Sequence, residues 1–294
     1  MDETARRAAL ADLYAMPGHL LWRAAARVTR DIDRVLPCNI DVHAYAVLVG
    51  LADEEPQSQR SLATRIGTSG TTLTTVAHTL QADGLVARVR NPDDRRSYSL
   101  TRTPAGRAAV RRWAPHVRRL EQQLTAAFEP DEADRLRELL LLVARDDLDS
   151  RTPQALLDST GFLITKAHQH AHRVFLATLQ PLGIEPRHFG TLRALRVVSP
   201  TTQGDVAALL DVSPATVVQI VDDLEKRGLL SRERDDSDRR AYLLHLSGEA
   251  ESLVADAGGT ASRLLADRLG EPDGRNHRDL IRLLRRLVTD AGPG

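Results

Sequence analysis

The sequence predicts a mainly α-helical protein with small β wings, built from two copies of one domain. Three observations predict this. The chain matches itself at a single offset: Gly84-Leu85 reappears as Gly228-Leu229, and Asp94-Arg95-Arg96 as Asp238-Arg239-Arg240, each pair 144 positions apart. The same shift pairs Pro37 with Pro181, Leu48 with Leu192, Leu80 with Leu224, Arg88 with Arg232 and Tyr98 with Tyr242. A period far beyond the roughly 20 to 50 residues of solenoid units marks a duplicated domain. Within each copy the apolar spacing is helical except for one stretch where it alternates. Finally, 294 residues with 42% hydrophobic content suit two domains, each with its own core. The acidic, turn-prone run Asp146 to Pro153 separates the copies, which gives expected domains 1–148 and 149–294.

Taken in order through the first copy, apolar residues from about Leu10 to Leu36 predict one long helix ended by Pro37. A second helix follows from about Asp41 to Ala52, and a short third after Ser58 places Leu62 and Ile66 inward. A fourth starts near Ser69 and runs through Leu80, closed by Gly84 where a left-handed cap is wanted. Its counterpart opens at Ser213-Pro214, an N-cap acceptor followed by proline at the first helical position. Alternation over Leu85–Arg90 and Arg95–Leu100, around a polar tip, predicts a two-stranded hairpin. Thr103-Pro104 then caps a long fifth helix, and a sixth opens at Pro130-Asp131-Glu132.

Three short helices followed by a charged hairpin is the order of a winged helix-turn-helix, whose last helix before the wing enters the major groove of DNA. The expected architecture is two such domains joined by a helical pseudo-dimerisation region. Forty basic residues balance forty acidic ones, so bulk charge gives no reason to expect nucleic acid. Local charge does: the wings carry Arg88, Arg90, Arg95 and Arg96, and Arg232, Arg234, Arg239 and Arg240. The alternative is that an arginine-rich hairpin is only a solvated face.

At this point the sequence resembles the MarR family of regulators. The resemblance rests on Leu80-Gln81-Ala82-Asp83-Gly84-Leu85-Val86, Asn91-Pro92-Asp93-Asp94-Arg95-Arg96 and Leu100–Gly106, with partners Leu224–Leu230 and Asp235–Arg240. It implies a double-stranded-DNA-binding regulator, expected to be a repressor. It also implies that Asp94 with Arg96, and Asp238 with Arg240, aim an arginine into the minor groove, whose negative potential attracts it. Family members are homodimers, so the two copies are expected to form one pseudo-dimer within a monomeric chain. On the two recognition helices the expected DNA-facing residues are Ser69, Thr71, Thr72, Thr74 and Thr75, and Ser213, Thr216 and Gln219. Many family members have arginine where this chain has Thr75 and Gln219, which weakens guanine readout here; Gln219 still suits adenine.

The resemblance further implies a small, aromatic or phenolic effector. His19, Trp22, Arg23, His43 and Tyr45 in the first copy, and Lys166, His168, His188 and Phe189 in the second, lie on segments that line such a site. For each alone, ordinary packing or helix surface is the preferred reading. His168 and His172 share a helix face, but with no acidic or cysteine ligand beside them no metal is expected. The lone Cys38 excludes an internal disulfide and is not read as a redox sensor. No phosphate loop, nucleophile elbow or metalloprotease helix occurs, so neither catalysis nor a cofactor is expected. No apolar run approaches the roughly 20 residues of a membrane span, and Met1-Asp2-Glu3-Thr4 does not open a secretory signal, so the expectation is cytoplasmic with no membrane contact. The competing expectation is a small-molecule sensor or protein-interaction module that kept the fold and lost specific DNA binding.

Overall fold

The computed structural model describes residues 2–37, 41–52, 55–90, 98–234, 242–270 and 274–289. The first copy contains α1 (Glu3–Leu13), α2 (Pro17–Val35), α3 (Val42–Gly50), β1 (Gln57–Ser58), α4 (Gln59–Arg65), α5 (Gly70–Ala82), β2 (Val86–Arg90), β3 (Tyr98–Arg102), α6 (Pro104–Thr125) and α7 (Pro130–Ala144). The second contains α8 (Gln154–Leu157), α9 (Thr160–Leu179), α10 (Pro186–Val198), β4 (Thr201–Thr202), α11 (Gln203–Leu210), α12 (Pro214–Lys226), β5 (Leu230–Arg234), β6 (Tyr242–Leu246), α13 (Gly248–Leu269) and α14 (Arg275–Thr289). Seven elements from α3 to α6 and from α10 to α13 begin at matching positions: 42 with 186, 57 with 201, 59 with 203, 70 with 214, 86 with 230, 98 with 242 and 104 with 248.

Two expectations need correction. The long first helix is two helices, because Pro17 has no N–H to bond back into α1 and instead opens α2; the chain turns at Tyr14–Met16. Each wing is a three-stranded antiparallel sheet rather than a two-stranded hairpin, in the order β1-β3-β2 and β4-β6-β5. The added strand is two residues long and pairs Gln57 with Leu100 and Ser58 with Ser99. In the first wing, the described part of the hairpin's second strand is Tyr98–Arg102, and the expected start at Arg95 lies outside the described residues.

Packing divides the chain differently from the repeat. One compact unit joins Met1–Trp22 to Ala171–Arg285 and holds the second winged domain; the other joins Arg23–His170 to Arg286–Gly294 and holds the first. In the second-wing unit, Ala9 and Leu13 of α1 enter the core with Phe189, Leu192, Leu195, Val206, Val217 and Leu244. Asp12 of α1 accepts two hydrogen bonds from Arg193 of α10, at 2.7 and 2.9 Å. In the first-wing unit, Leu156 of α8 joins the core formed by Leu48, Leu62, Leu73, Val86 and Leu100. Each winged domain is therefore completed by the leading helical segment of the other repeat.

The join between repeats is folded onto the first-wing unit. Arg65 donates to the Arg151 carbonyl at 2.9 Å, the Thr152 hydroxyl to the Arg65 carbonyl at 3.0 Å, and Glu121 accepts the Thr160 N–H at 2.9 Å, capping α9. Burial pushes the Glu121 carboxyl above the usual carboxylate range, against the lowering effect of Thr160 and Arg137.

Candidate nucleic-acid interface

Each candidate recognition helix starts the same way. Ser69 accepts the Thr72 N–H at 3.0 Å and Ser213 accepts the Thr216 N–H at 3.1 Å, filling N-cap positions whose backbone donors have no partner in the helix. In both, the two hydroxyls also lie 2.8 Å apart. Ser69, Thr72, Ser213 and Thr216 thus set where the helices begin. At the far end Gly84 and Gly228 take φ of +69° and +70°, left-handed values that a side chain resists. In the second repeat α11 and α12 meet at a bend of 115°, within the range of DNA-binding helix-turn-helix units.

Leu73, Val76, Ala77 and Leu80 bury one side of α5, and Val217, Ile220, Val221 and Leu224 bury one side of α12. The opposite sides are exposed: Thr71, Thr74, Thr75 and His78 on α5, and Ala215, Val218 and Gln219 on α12. Three of the α5 hydroxyls turn back onto the helix. Those of Thr74, Thr75 and Thr79 donate to the carbonyls of Gly70, Thr71 and Thr75, four residues back, at 2.9, 3.2 and 3.3 Å. Thr74 also reaches Gln59 Oε1 at 3.3 Å.

The wing strands differ between repeats. Arg88 and Arg90 on β2 and Arg234 on β5 are exposed. Arg232 is instead bound to the recognition helix: it donates to Asp222 at 2.5 Å and to Glu225, and Gln203, with its amide oxygen turned inward, accepts from it at 2.9 and 3.0 Å. Burial works against the Arg232 charge, but these carboxylates outweigh it and raise its pKa further. At the positions matching Asp222 and Glu225 the first repeat has His78 and Gln81. Sequence reading missed Asp222, Glu225, Gln203 and Gln59; the i, i+3 pair of acids facing a strand arginine was the available signal for the first two. The wing-tip residues Asp94, Arg95, Arg96, Asp238, Arg239 and Arg240 lie outside the described residues, as does Cys38.

The segment-based effector residues divide between the units. The second-wing unit holds His19, Trp22, His188 and Phe189; the first-wing unit holds Arg23, His43, Tyr45, Lys166 and His168. The rings of His19 and Trp22 are 5.5 Å apart, with Tyr14 6.0 Å from His19. Phe189 is a core residue meeting Phe175 edge-on at 4.9 Å. His188 is buried; its Nδ1 accepts the Glu185 N–H at 3.1 Å, and its pKa is lowered by burial and then by Arg187. Lys166 is buried too, donating to the Gly67 carbonyl and to Gln169 at 3.3 Å. His43 is exposed, Trp22, Arg23, Tyr45 and His168 are half-buried, and burial raises the Tyr45 phenol. Among the described residues, no group of three His, Cys, Asp or Glu side chains is placed to hold a metal, and no single helix is long and apolar enough to cross a membrane.

Comparison with known proteins gives the same pattern twice. A model of the MarR family matches residues 41–98, and a second model of that family matches residues 182–241. A Thauera aromatica protein described as a transcriptional regulatory protein for the hcr operon is 27% identical over 145 residues, 49% of this chain and 87% of that one. Among solved structures, the transcriptional repressor CouR bound to a 23-mer DNA duplex is 30% identical, covering 42% of this chain and 86% of that chain with a TM-score of 0.38. The PcaV transcriptional regulator from Streptomyces coelicolor, in complex with its natural ligand, is 29% identical, covering 44% and 92%, with a TM-score of 0.42. With the repeated helix-turn-helix, wing and caps, the two family-model matches place the chain in the MarR family of winged helix-turn-helix transcriptional regulators, as a tandem member carrying that domain twice.

Proposed function

We propose that this DNA-binding regulator is a sequence-specific repressor that acts as a single-chain pseudo-dimer and is released from DNA by a small aromatic or phenolic effector. One observation carries the DNA reading: a serine-capped helix with one exposed face, followed by a wing with strand arginines, recurs at matching positions in both repeats. Two such helices reading one duplex would address major grooves about one turn, or roughly 10 base pairs, apart. The arginines at the wing tips supply the sequence-independent part of the affinity. The effector reading is supported by the family resemblance and by polar and aromatic side chains at the leading helices, His19 and Trp22 in one unit and Lys166 and His168 in the other.

Fluorescence anisotropy with the full chain and its own upstream DNA tests this. Steep loss of binding with salt, and a further loss in Arg96→Ala and Arg240→Ala, is expected. Salt-insensitive or absent binding at low salt overturns the reading in favour of a sensor or interaction module.

A further inference from the structure

We infer that the two halves of the operator are chemically different: the half under α5 is chosen by thymine methyl groups, and the half under α12 by an adenine that Gln219 reads. This rests on the DNA-binding reading above and concerns what each helix recognises.

On α5 the exposed residues at i, i+3, i+4 and i+7 are Thr71, Thr74, Thr75 and His78. A threonine hydroxyl has one hydrogen to give. At Thr74, Thr75 and Thr79 that hydrogen is directed to a carbonyl of the helix itself. With the oxygen turned back, the outward heavy atom of each side chain is its methyl. From Gly70 to Ala82 the sequence has no lysine, arginine, aspartate or glutamate, so α5 brings neither a guanidinium for guanine nor a carboxylate for cytosine. The centre of its exposed face is the methyl pair of Thr74 and Thr75, flanked by Thr71 and the His78 imidazole, and the major-groove feature that answers a methyl is the C5-methyl of thymine.

The matching face of α12 is Ala215, Val218, Gln219 and Asp222. Gln219 is exposed and carries the amide that pairs bidentately with adenine N6 and N7. Asp222 is occupied by Arg232 at 2.5 Å, which neutralises an acid that would otherwise repel phosphate. The two faces share a backbone register and methyl groups, which Ala215 and Val218 also present; α12 adds the Gln219 amide, and α5 has threonine at the matching position 75.

The probe is the duplex enriched by the full chain from a random-sequence library, with deoxyuridine then replacing thymidine in one half-site at a time. Removing only the methyls leaves the protein untouched, so the result does not depend on how a variant folds. The half under α5 is expected to lose about three- to five-fold in affinity per methyl, the partition worth of one buried carbon, and the half under α12 to lose less, because its selection also rests on the Gln219 amide. Thr74→Val with Thr75→Val keeps the methyls and is expected to retain the thymidine preference, whereas Thr74→Ser with Thr75→Ser keeps the hydroxyls and is expected to abolish it. Gln219→Ala is expected to relax selection at an adenine in the other half by roughly 5- to 150-fold. Enrichment of a palindrome, or deoxyuridine without effect in both halves, overturns this inference while leaving DNA binding standing. Failure to enrich any duplex overturns the DNA-binding reading itself.

Discussion

The two winged domains share a backbone plan and are braced by different contacts. The second is held by ion pairs across elements: Arg193 grips Asp12 with Arg196 at 3.6 Å, and Arg232 bridges Asp222 and Glu225. The first is held by apolar burial and by cations on backbone carbonyls, with Leu156 in its core, Arg65 on Arg151, Arg102 on Leu48, and Gln59 serving Thr74 where Gln203 serves Arg232. The comparison teaches that backbone register and bracing chemistry are separable. The caps Ser69 and Ser213 and the left-handed Gly84 and Gly228 repeat at matching positions, while the side chains that tie elements together have been exchanged.

The comparison breaks most readily at the leading helices. Leu156→Ala removes a buried side chain from the first domain and is expected to cost about 2–5 kcal/mol, read as a fall in the thermal transition that high salt does not change. The matching contact in the second domain is ionic. Asp12→Ala leaves two part-buried guanidiniums without their carboxylate and is expected to cost about 1–3 kcal/mol, and the wild-type contact is expected to weaken with added salt where that of Leu156 does not.

Acid should separate the domains further, in opposite directions. In the second-wing unit burial lowers the pKa values of His188 and His277, so the unfolded chain binds protons more readily and stability falls as pH drops below about 6.5 toward their folded values. In the first-wing unit burial raises Glu121, so the folded form takes up the proton first and this group adds stability as pH falls toward about 4.3. Hydrogen exchange at pH 7 and pH 5.5 is expected to show the second-wing unit opening preferentially; equal change in both units would count against this. The smallest effect is at the wing strands. Arg88→Ala is expected to reduce the salt slope of DNA binding by about 1 without changing stability, whereas Arg232→Ala is expected to lower stability and leave the slope nearly unchanged.

Much of this was legible in the sequence where a signal is local. Ser213-Pro214, Thr103-Pro104 and Gly84 each dictate a backbone conformation by themselves, and the structure has helix starts or a left-handed cap there. The break at Tyr14–Met16 was equally local, since Pro17 marks it. Strands of two residues such as β1 leave no periodicity to read. Non-local pairing was not legible: alternation of apolar residues says that Leu13 and Leu156 have a buried side, but not that each is covered by the other repeat's domain. For Arg232 the acids Asp222 and Glu225, three apart on α12, were a partial signal, whereas Gln203 on α11 left none.

The exchange of leading helices has a practical consequence for anyone cutting this protein in two. A fragment ending near Asp149 would retain α1 without α10 to receive Asp12, and its first winged domain would lack the leucine that fills it. The complementary fragment would carry Leu156 and an exposed Arg193. Neither piece is a self-sufficient regulator. Mixed together, they are expected to recover native heat resistance by reassembly, in the manner of two polypeptides that complement one another.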